Sequence, residues 1–409
     1  MKKWLWIGQR LSDGILYSRT LDGLDVFFSC DSLSLTTTSP SYFSLPVDKV
    51  FPSKQRYWAS KDISKIVDNY FDEINKCLAI GYDIFSYYLS ADSLERIHYV
   101  GDLFNRRVFN NQLGRSTQMY LCSLSDIRTP RWSIPRDMDW NDLAFLLGDV
   151  VVLQFDNTSS CMGTFVVHNE NEYKWFCSSY GQPDLATEYL ESGYPCSVHL
   201  WITKDSIIIS PASIQIIEHI NRRNDMGVQS FVFRGNDFGF YNQVIATNSD
   251  INSQLRKIGS IYQKAGIWGL IGVDYIVKDS RFYYTETNLR LQNSTSLLSF
   301  IQPIDKGNVV NCLQSGFSEF SNADFAYQYY IDVPATHLIS GYYNKGGDFL
   351  GSITAPVPRV KENLLVFCST PHNSQQILRI IGFEIGCDGN GTIKNELVSF
   401  LKDLTQSHF

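Results

Sequence analysis

Apolar residues near the start of the chain come first in short runs and then at helical spacing. Residues 3–8 (Lys-Trp-Leu-Trp-Ile-Gly) and 24–29 (Leu-Asp-Val-Phe-Phe-Ser) read as strands, with Ser/Thr/Pro-rich loops between and after them, especially over 31–46. Ile63, Ile66, Val67, Tyr70, Phe71, Ile74 and Leu78 then recur at three- and four-residue steps, which predicts an amphipathic helix over 61–79. Residues 82–89 return to a strand pattern. Strand, helix and strand in succession predict an α/β module.

From about 100 to 148 the pattern is helical, broken around Thr129-Pro130 and Pro135, and a helix opening at Asp139-Trp140 ends near Gly148. Asp149–Phe155 reads as a buried strand, Asp156–Gly163 as a hydroxyl-rich turn, and Thr164–Val167 as a second strand, together a hairpin. A helical or irregular stretch to about 185 is followed by strands near 196–203 and 206–210. An amphipathic helix covers 248–264 and stops near Gly266, and 267–288 reads strand, turn, strand. The remainder mixes strands, Leu364–Phe367 among them, with a terminal helix near 393–404, and no internal repeat is visible.

Composition narrows the class. A chain of 409 residues, 44% hydrophobic and 19% charged, is an ordinary globular chain of two to four domains; disordered, collagen-like and disulfide-scaffold classes are excluded. The net charge of −7, without a basic run, predicts no nucleic-acid partner. Nine cysteines stand singly, with no Cys-x-x-Cys pair, as expected for reduced thiols in the cytoplasm rather than disulfides or structural zinc. No apolar run approaches the roughly 18 residues that span a bilayer, and the first ten residues lack a signal-peptide pattern. A soluble, cytoplasmic protein is expected.

Candidate chemistry concentrates in Gly269–Arg290. Two adjacent strands joined by the polar turn Lys278-Asp279-Ser280-Arg281 bring Asp274 beside the end of the second strand. Glu286 and Asn288 stand two apart, so on a strand they share one face, and Arg290 continues that face. Two carboxylates and an amide oxygen are hard donors of the kind Mg²⁺ takes, with waters and phosphates completing its shell. Arg290 is placed to neutralise charge on a phosphoryl or acyl-phosphate oxygen. The seven histidines show no ligand spacing, His199 reads as a core strand residue, and neither a Walker A nor a Gly-x-Ser-x-Gly motif occurs.

This block resembles the metal-binding end of the ATP-grasp superfamily, where an Asp on one strand and Glu-x-Asn on the next hold two Mg²⁺ ions against ATP. Leu291–Ser296 is similar to the small polar stretch after that motif. Asp149–Val167 resembles the strand, loop and strand that cover the phosphates. Thr187–Gly193 followed by Pro195–Val198 resembles the hinge that seats adenine. The resemblance covers about 149–300. It implies metal contacts from Asp274, Glu286 and Asn288. It implies nucleotide contacts from Gln154, Ser159, Ser160, Gly163, Thr164, Glu188, Tyr189 and Leu190, and a catalytic role for Arg290. The pattern departs from the family at Gln154, where a phosphate-contacting Lys is usual, in a loop with only Gly163 for glycine, and at Pro195, where a carboxylate often meets ribose. Arg106 or Arg107 stands nearest the usual upstream Lys.

Gln154, the Ser-rich loop, Ser210–Gln215 and Phe233–Asp237 are similar to the peptide-ligase branch found in natural-product pathways, with Gln215 and Asn236-Asp237 as further candidates. The implied fold class is α/β: an ATP-grasp fold with an N-terminal α/β (pre-ATP-grasp-like) module over 1–100, linker helices and lid over 101–187, a C-terminal core with the metal site over 188–330, and a small C-terminal subdomain over 331–409. The implied activity is ATP- and Mg²⁺-dependent amide formation between an amino-acid, peptide or carrier-bound carboxylate and an amine, through an acyl phosphate. An oligomer is compatible with this reading. An ATP-binding protein of the same fold without ligase activity, and a phosphotransferase, are the alternatives.

Overall fold

The computed structural model describes residues 3–8, 10–18, 24–29, 41–44, 77–81, 114–156, 158, 161, 163–221, 228–245, 249–289, 291–302, 325–334, 338–353, 359–369 and 375–406. They fall into two compact units: one from Met1–Asp102, Arg290–Gly386 and Lys394–Phe409, the other from Leu103–Leu289 and Cys387–Ile393.

The first unit opens with β1 (Lys3–Gly8), α1 (Leu11–Ser18), β2 (Leu24–Ser29), β3 (Ser41–Ser44) and β4 (Cys77–Gly81). The strands form a parallel sheet in the order β3-β2-β1-β4. Strand β4 corrects the end of the helix expected over 61–79: Leu78, Ala79 and Ile80 pair with Trp4, Leu5 and Trp6. A short apolar run fits a buried parallel strand as well as a last helical turn, and tertiary pairing decides between them. The rest of that helix, and the strand expected over 82–89, lie outside the described residues.

The second unit is built on antiparallel pairing. It contains α2 (Arg115–Leu124), β5 (Trp132–Ser133), α3 (Trp140–Leu147), β6 (Val151–Gln154), β7 (Thr164–Val167), α4 (Glu170–Tyr180) and β8 (Leu185–Glu188). There follow β9 (Tyr194–Ile202), β10 (Ile207–Ile209), β11 (Ser213–Asn221), β12 (Gln229–Asp237), α5 (Phe238–Val244), α6 (Ser249–Lys264), β13 (Gly269–Lys278) and β14 (Arg281–Asn288). Helix α3 starts where the sequence places it, because Asp139 accepts from the Asp142 N–H and Asp142 reaches back in a capping box. Leu143 and Leu147 of α3, and Tyr173 and Phe176 of α4, bury against Val151, Leu153, Phe165 and Val167 of the β6–β7 hairpin. Strands β14, β13, β9, β11 and β12 lie side by side, β12 continuing to β7 and β7 to β6 and β8.

The chain returns to the first unit with α7 (Thr295–Ile301), β15 (Tyr327–Pro334), β16 (Gly341–Asn344), β17 (Phe349–Ser352), β18 (Asn363–Cys368), β19 (Gln375–Gly382) and α8 (Asn395–Gln406). Its antiparallel strands run in the order β15-β19-β18-β16-β17. Among the described residues no helix is long and apolar enough to cross a membrane.

Candidate active site

The site grows from the β13–β14 hairpin. Asp279 and Ser280 at its tip both have positive φ, 49° and 58°, the backbone of a type I′ turn, whose twist matches the flanking strands. This tight turn sets a register in which Asp274 stands directly opposite Glu286 and Gly272 opposite Asn288. A bulge follows at once: Tyr275 pairs with Tyr284, leaving Thr285 as the extra residue. Bulges of this kind aim side chains beside functional sites. The Asn288 amide Nδ2 donates to Asp274 Oδ2 at 3.0 Å, and Gln215 Nε2 on β11 donates to Asp274 Oδ1 at 2.9 Å. Two amides thus orient one carboxylate and leave the Asn288 amide oxygen as a further donor atom.

Helix α2 holds this edge in place. Buried Gln118 accepts from the Thr287 N–H at 2.8 Å and from the Tyr284 hydroxyl at 2.6 Å, and donates to the Thr287 carbonyl at 3.2 Å. It grips β14 between Glu286 and Asn288. Arg115, one turn earlier and 4% exposed, places Nη2 3.2 Å from Glu286 Oε2. Its guanidinium also donates to the Phe155 carbonyl, to Thr158 Oγ1 at 2.8 Å and to the Thr158 carbonyl at 2.9 Å. Burial by itself lowers the Arg115 pKa, but Glu286, with Cys161 and Asp156, holds it above the ordinary guanidinium value. Among the described residues, the cation beside the carboxylates is Arg115. Arg106 and Arg107 lie outside the described residues.

The loop after β6 folds toward the same carboxylates. Burial, reinforced by Asp274 and Glu286, pushes the Cys161 thiol up to about 12, so it is neutral. Gly163 has φ +86°, and a Cβ there would lie 2.5 Å from Thr158 Cγ2, so this position requires glycine. Gln154 Nε2 reaches Thr164 Oγ1 at 3.4 Å, across the neck of the hairpin. Ser159, Ser160 and Arg290 lie outside the described residues.

At the hinge, both Glu188 carboxylate oxygens are engaged by Arg131, Oε1 by its backbone N–H and Oε2 by its Nε, each at 2.8 Å. Tyr189 donates its N–H to the Val150 carbonyl at 3.3 Å, and the Leu190 carbonyl accepts from Gly193 at 3.1 Å. The Glu188 carboxylate is thus already committed to Arg131. Asn236 binds Ser213 Oγ at 3.0 Å, and Asp237 caps α5 through the Phe240 N–H and accepts from the Cys387 N–H. Both side chains are buried.

The donor set fits a hard divalent cation. Asp274, Glu286 and Asn288 present oxygen donors on one sheet face, and no cluster of three or more His, Cys, Asp or Glu forms a closed metal site among the described residues. Two carboxylates with an amide oxygen suit a cation whose shell phosphate and water complete.

Residues 126–294 match the family described as an ATP-grasp domain. Solved structures extend that likeness over nearly the whole chain. Biotin carboxylase from Campylobacter jejuni is 13% identical, with a TM-score of 0.61 over 100% of this chain and 91% of that one. The fold is the ATP-grasp fold. Phosphoribosylamine–glycine ligase from Thermotoga maritima is 13% identical (TM-score 0.58, covering 98% and 96% of the two chains). N5-carboxyaminoimidazole synthetase from Staphylococcus aureus, complexed with ADP, is 11% identical (TM-score 0.54, covering 100% and 98%). No curated protein sequence matches the chain significantly. The matched segment includes both the β6–β7 hairpin and the strands β13 and β14.

His199, 1% exposed on β9, is the one described histidine whose pKa burial strongly displaces, down to about 3. The unfolded imidazole titrates near 6.5, so on acidification the unfolded chain takes the proton first. The stability held by this group is complete above about pH 6.5 and is lost as pH falls toward 3, roughly 2 kcal/mol of it by pH 5. Urea unfolding at pH 7 and pH 5 is expected to show a smaller loss between the two for His199→Gln than for wild type. Equal losses would place the acid sensitivity elsewhere.

Proposed function

We propose that the chain is an ATP- and Mg²⁺-dependent carboxylate–amine ligase of the peptide-ligase type, acting in natural-product assembly. The observation that carries this reading is the convergence of Asp274, Glu286 and Asn288 on one sheet face, with Arg115 beside them. A substrate carboxylate oxygen attacks the γ-phosphorus of ATP as the bond to ADP breaks. The amine nitrogen then attacks the acyl carbon, phosphate leaves, and the nitrogen gives up its proton. This chemistry asks mainly for positioning and charge stabilisation.

Asp274, Glu286 and Asn288 would hold Mg²⁺, which when bound neutralises charge on the β- and γ-phosphoryl oxygens. Arg115 offsets the Glu286 charge when no cation is bound. Arg290 steadies charge developing on the transferred group. Gln154, Ser159, Ser160, Gly163 and Thr164 would contact the phosphates and keep water from the acyl phosphate, and Glu188, Tyr189 and Leu190 would border the base. The substrates are an amino-acid, peptide or carrier-bound carboxylate and an amine. Supporting examples among similar structures are the Hydrogenobacter thermophilus biotin carboxylase domain, solved with MgADP and bicarbonate, and the ligase and synthetase above.

An ADP-release screen over paired acids and amines, with product masses, tests the proposal. The expected result is ADP, free phosphate and an amide. Tight ATP binding without ADP release would favour a binding protein instead. Gln154 in place of a lysine, and the commitment of Arg115 to Glu286 and the loop, are the features that favour that second reading. A product that keeps the phosphoryl group would mark a phosphotransferase.

A further inference from the structure

We infer that Arg115 and a divalent cation compete for Glu286, and that this competition couples cation binding to the root of the phosphate loop. The inference rests on the reading of Glu286 as a metal ligand and goes beyond it, because it assigns a coupling role to a side chain that binds no metal.

One nitrogen links the carboxylate to the loop. Arg115 Nη2 serves Glu286 Oε2 at 3.2 Å and the Thr158 carbonyl at 2.9 Å together. Nη1 serves the Phe155 carbonyl and Thr158 Oγ1. The guanidinium is a rigid planar fork, so its four contacts shift as a set. A cation at Glu286 removes the anionic partner of Nη2 and places positive charge against the guanidinium in a poorly solvated site. The fork then turns away, and the bonds to Phe155 and Thr158 weaken with it. By linkage, whatever removes the positive charge from Glu286 also favours the cation.

A second tether makes the coupling selective. Asp156 accepts from the Ser116 N–H at 3.1 Å and the Ser116 hydroxyl at 2.9 Å, at the N-terminus of α2, where a carboxylate is favoured. Gly114 permits this approach, since a Cβ there would lie 2.0 Å from Asp156 Oδ2. The Asp156 tether makes no contact with Glu286 and should hold while the Arg115 contacts exchange. Phe155 and Thr158 thus answer to the cation, with Asp156 as a fixed pivot between them.

The test uses the full-length protein, Mn²⁺ as probe and no nucleotide. Calorimetry gives the Mn²⁺ affinity, and amide exchange reads the segment holding Phe155, Asp156 and Thr158. In wild type, saturating Mn²⁺ should speed exchange there about tenfold. Arg115→Gln should exchange fast with or without Mn²⁺ and bind Mn²⁺ about tenfold more tightly. Arg115→Lys, which keeps the charge but not the fork, should stay within about threefold of the wild-type affinity and have a looser loop root. Wild-type exchange that Mn²⁺ leaves unchanged or slows overturns the inference, even if Arg115→Gln fails to fold. So does Arg115→Gln with a looser loop and unchanged or weaker Mn²⁺ binding, which marks a purely structural role. If Glu286→Gln leaves Mn²⁺ binding intact, or wild type binds none, the metal reading itself falls; binding lost in Glu286→Gln without any loop response removes only the coupling.

Discussion

Glu286→Gln is expected to lower ADP production by about 10³-fold or more while the protein stays folded. The change is nearly isosteric. It keeps an amide oxygen to accept from Arg115 Nη2, so the contact at 3.2 Å survives as a hydrogen bond without the charge. What is lost is one of the two carboxylates that face each other across β13 and β14. A neutral amide is a much weaker ligand for a hard divalent cation, and the phosphoryl charge it was to offset is left exposed. Glu286→Ala makes the contrast. It removes the acceptor altogether, leaves a buried Arg115 donor unmet, and should cost about 1–3 kcal/mol of stability as well as the activity. Steady-state ADP release with thermal melts on both variants separates the two effects. Wild-type turnover in Glu286→Gln would remove Glu286 from the metal site, and the ligase mechanism would lose its anchor.

The hairpin was legible because its signals are local. The polar turn at 278–281, the alternation on either side, and the spacing of Glu286 and Asn288 all lie within one stretch, and strand parity does the rest. The start of α3 at Asp139-Trp140 and the long amphipathic α6 were legible for the same reason. Arg115 was not, since it meets Glu286 from 171 positions away. One local signal did exist: a cation at the first position of a helix opposes the helix dipole, and such a misplaced charge invites a search for its anion. Strands β11 and β12 were hidden by a different cause. In β11 the consecutive Ile216 and Ile217 break the period-two alternation, and in β12 a bulge that leaves Arg234 as the extra residue breaks it again. The end of the 61–79 helix failed because periodicity describes one chain segment, while β4 is decided by its pairing with β1.

The largest stability effect is expected at Arg379, in the unit that includes α1, α7, β15 and β19. Its guanidinium donates to Ser12 Oγ at 3.0 Å, Asp13 Oδ1 at 2.6 Å, Ser296 Oγ at 2.9 Å and Gln328 Oε1 at 2.6 Å. Ser296 in turn donates to Asp13 Oδ1 at 2.6 Å, which closes the network. Arg379 and Asp13 are each 3% exposed, so neither charge has water to fall back on. One side chain on β19 therefore ties together segments that begin nearly 370 positions apart. Arg379→Met should cost about 3–5 kcal/mol, because it strands the Asp13 carboxylate in a dry interior. Asp13→Asn in the same background should recover part of that loss, since a neutral amide is far less costly to bury than an unpaired charge. Urea unfolding of wild type, both single variants and the double variant completes the cycle, and the two changes are expected to be strongly non-additive. Additive losses would mean that the two charges do not support each other, and that the discontinuous unit is held instead by the apolar faces of its strands.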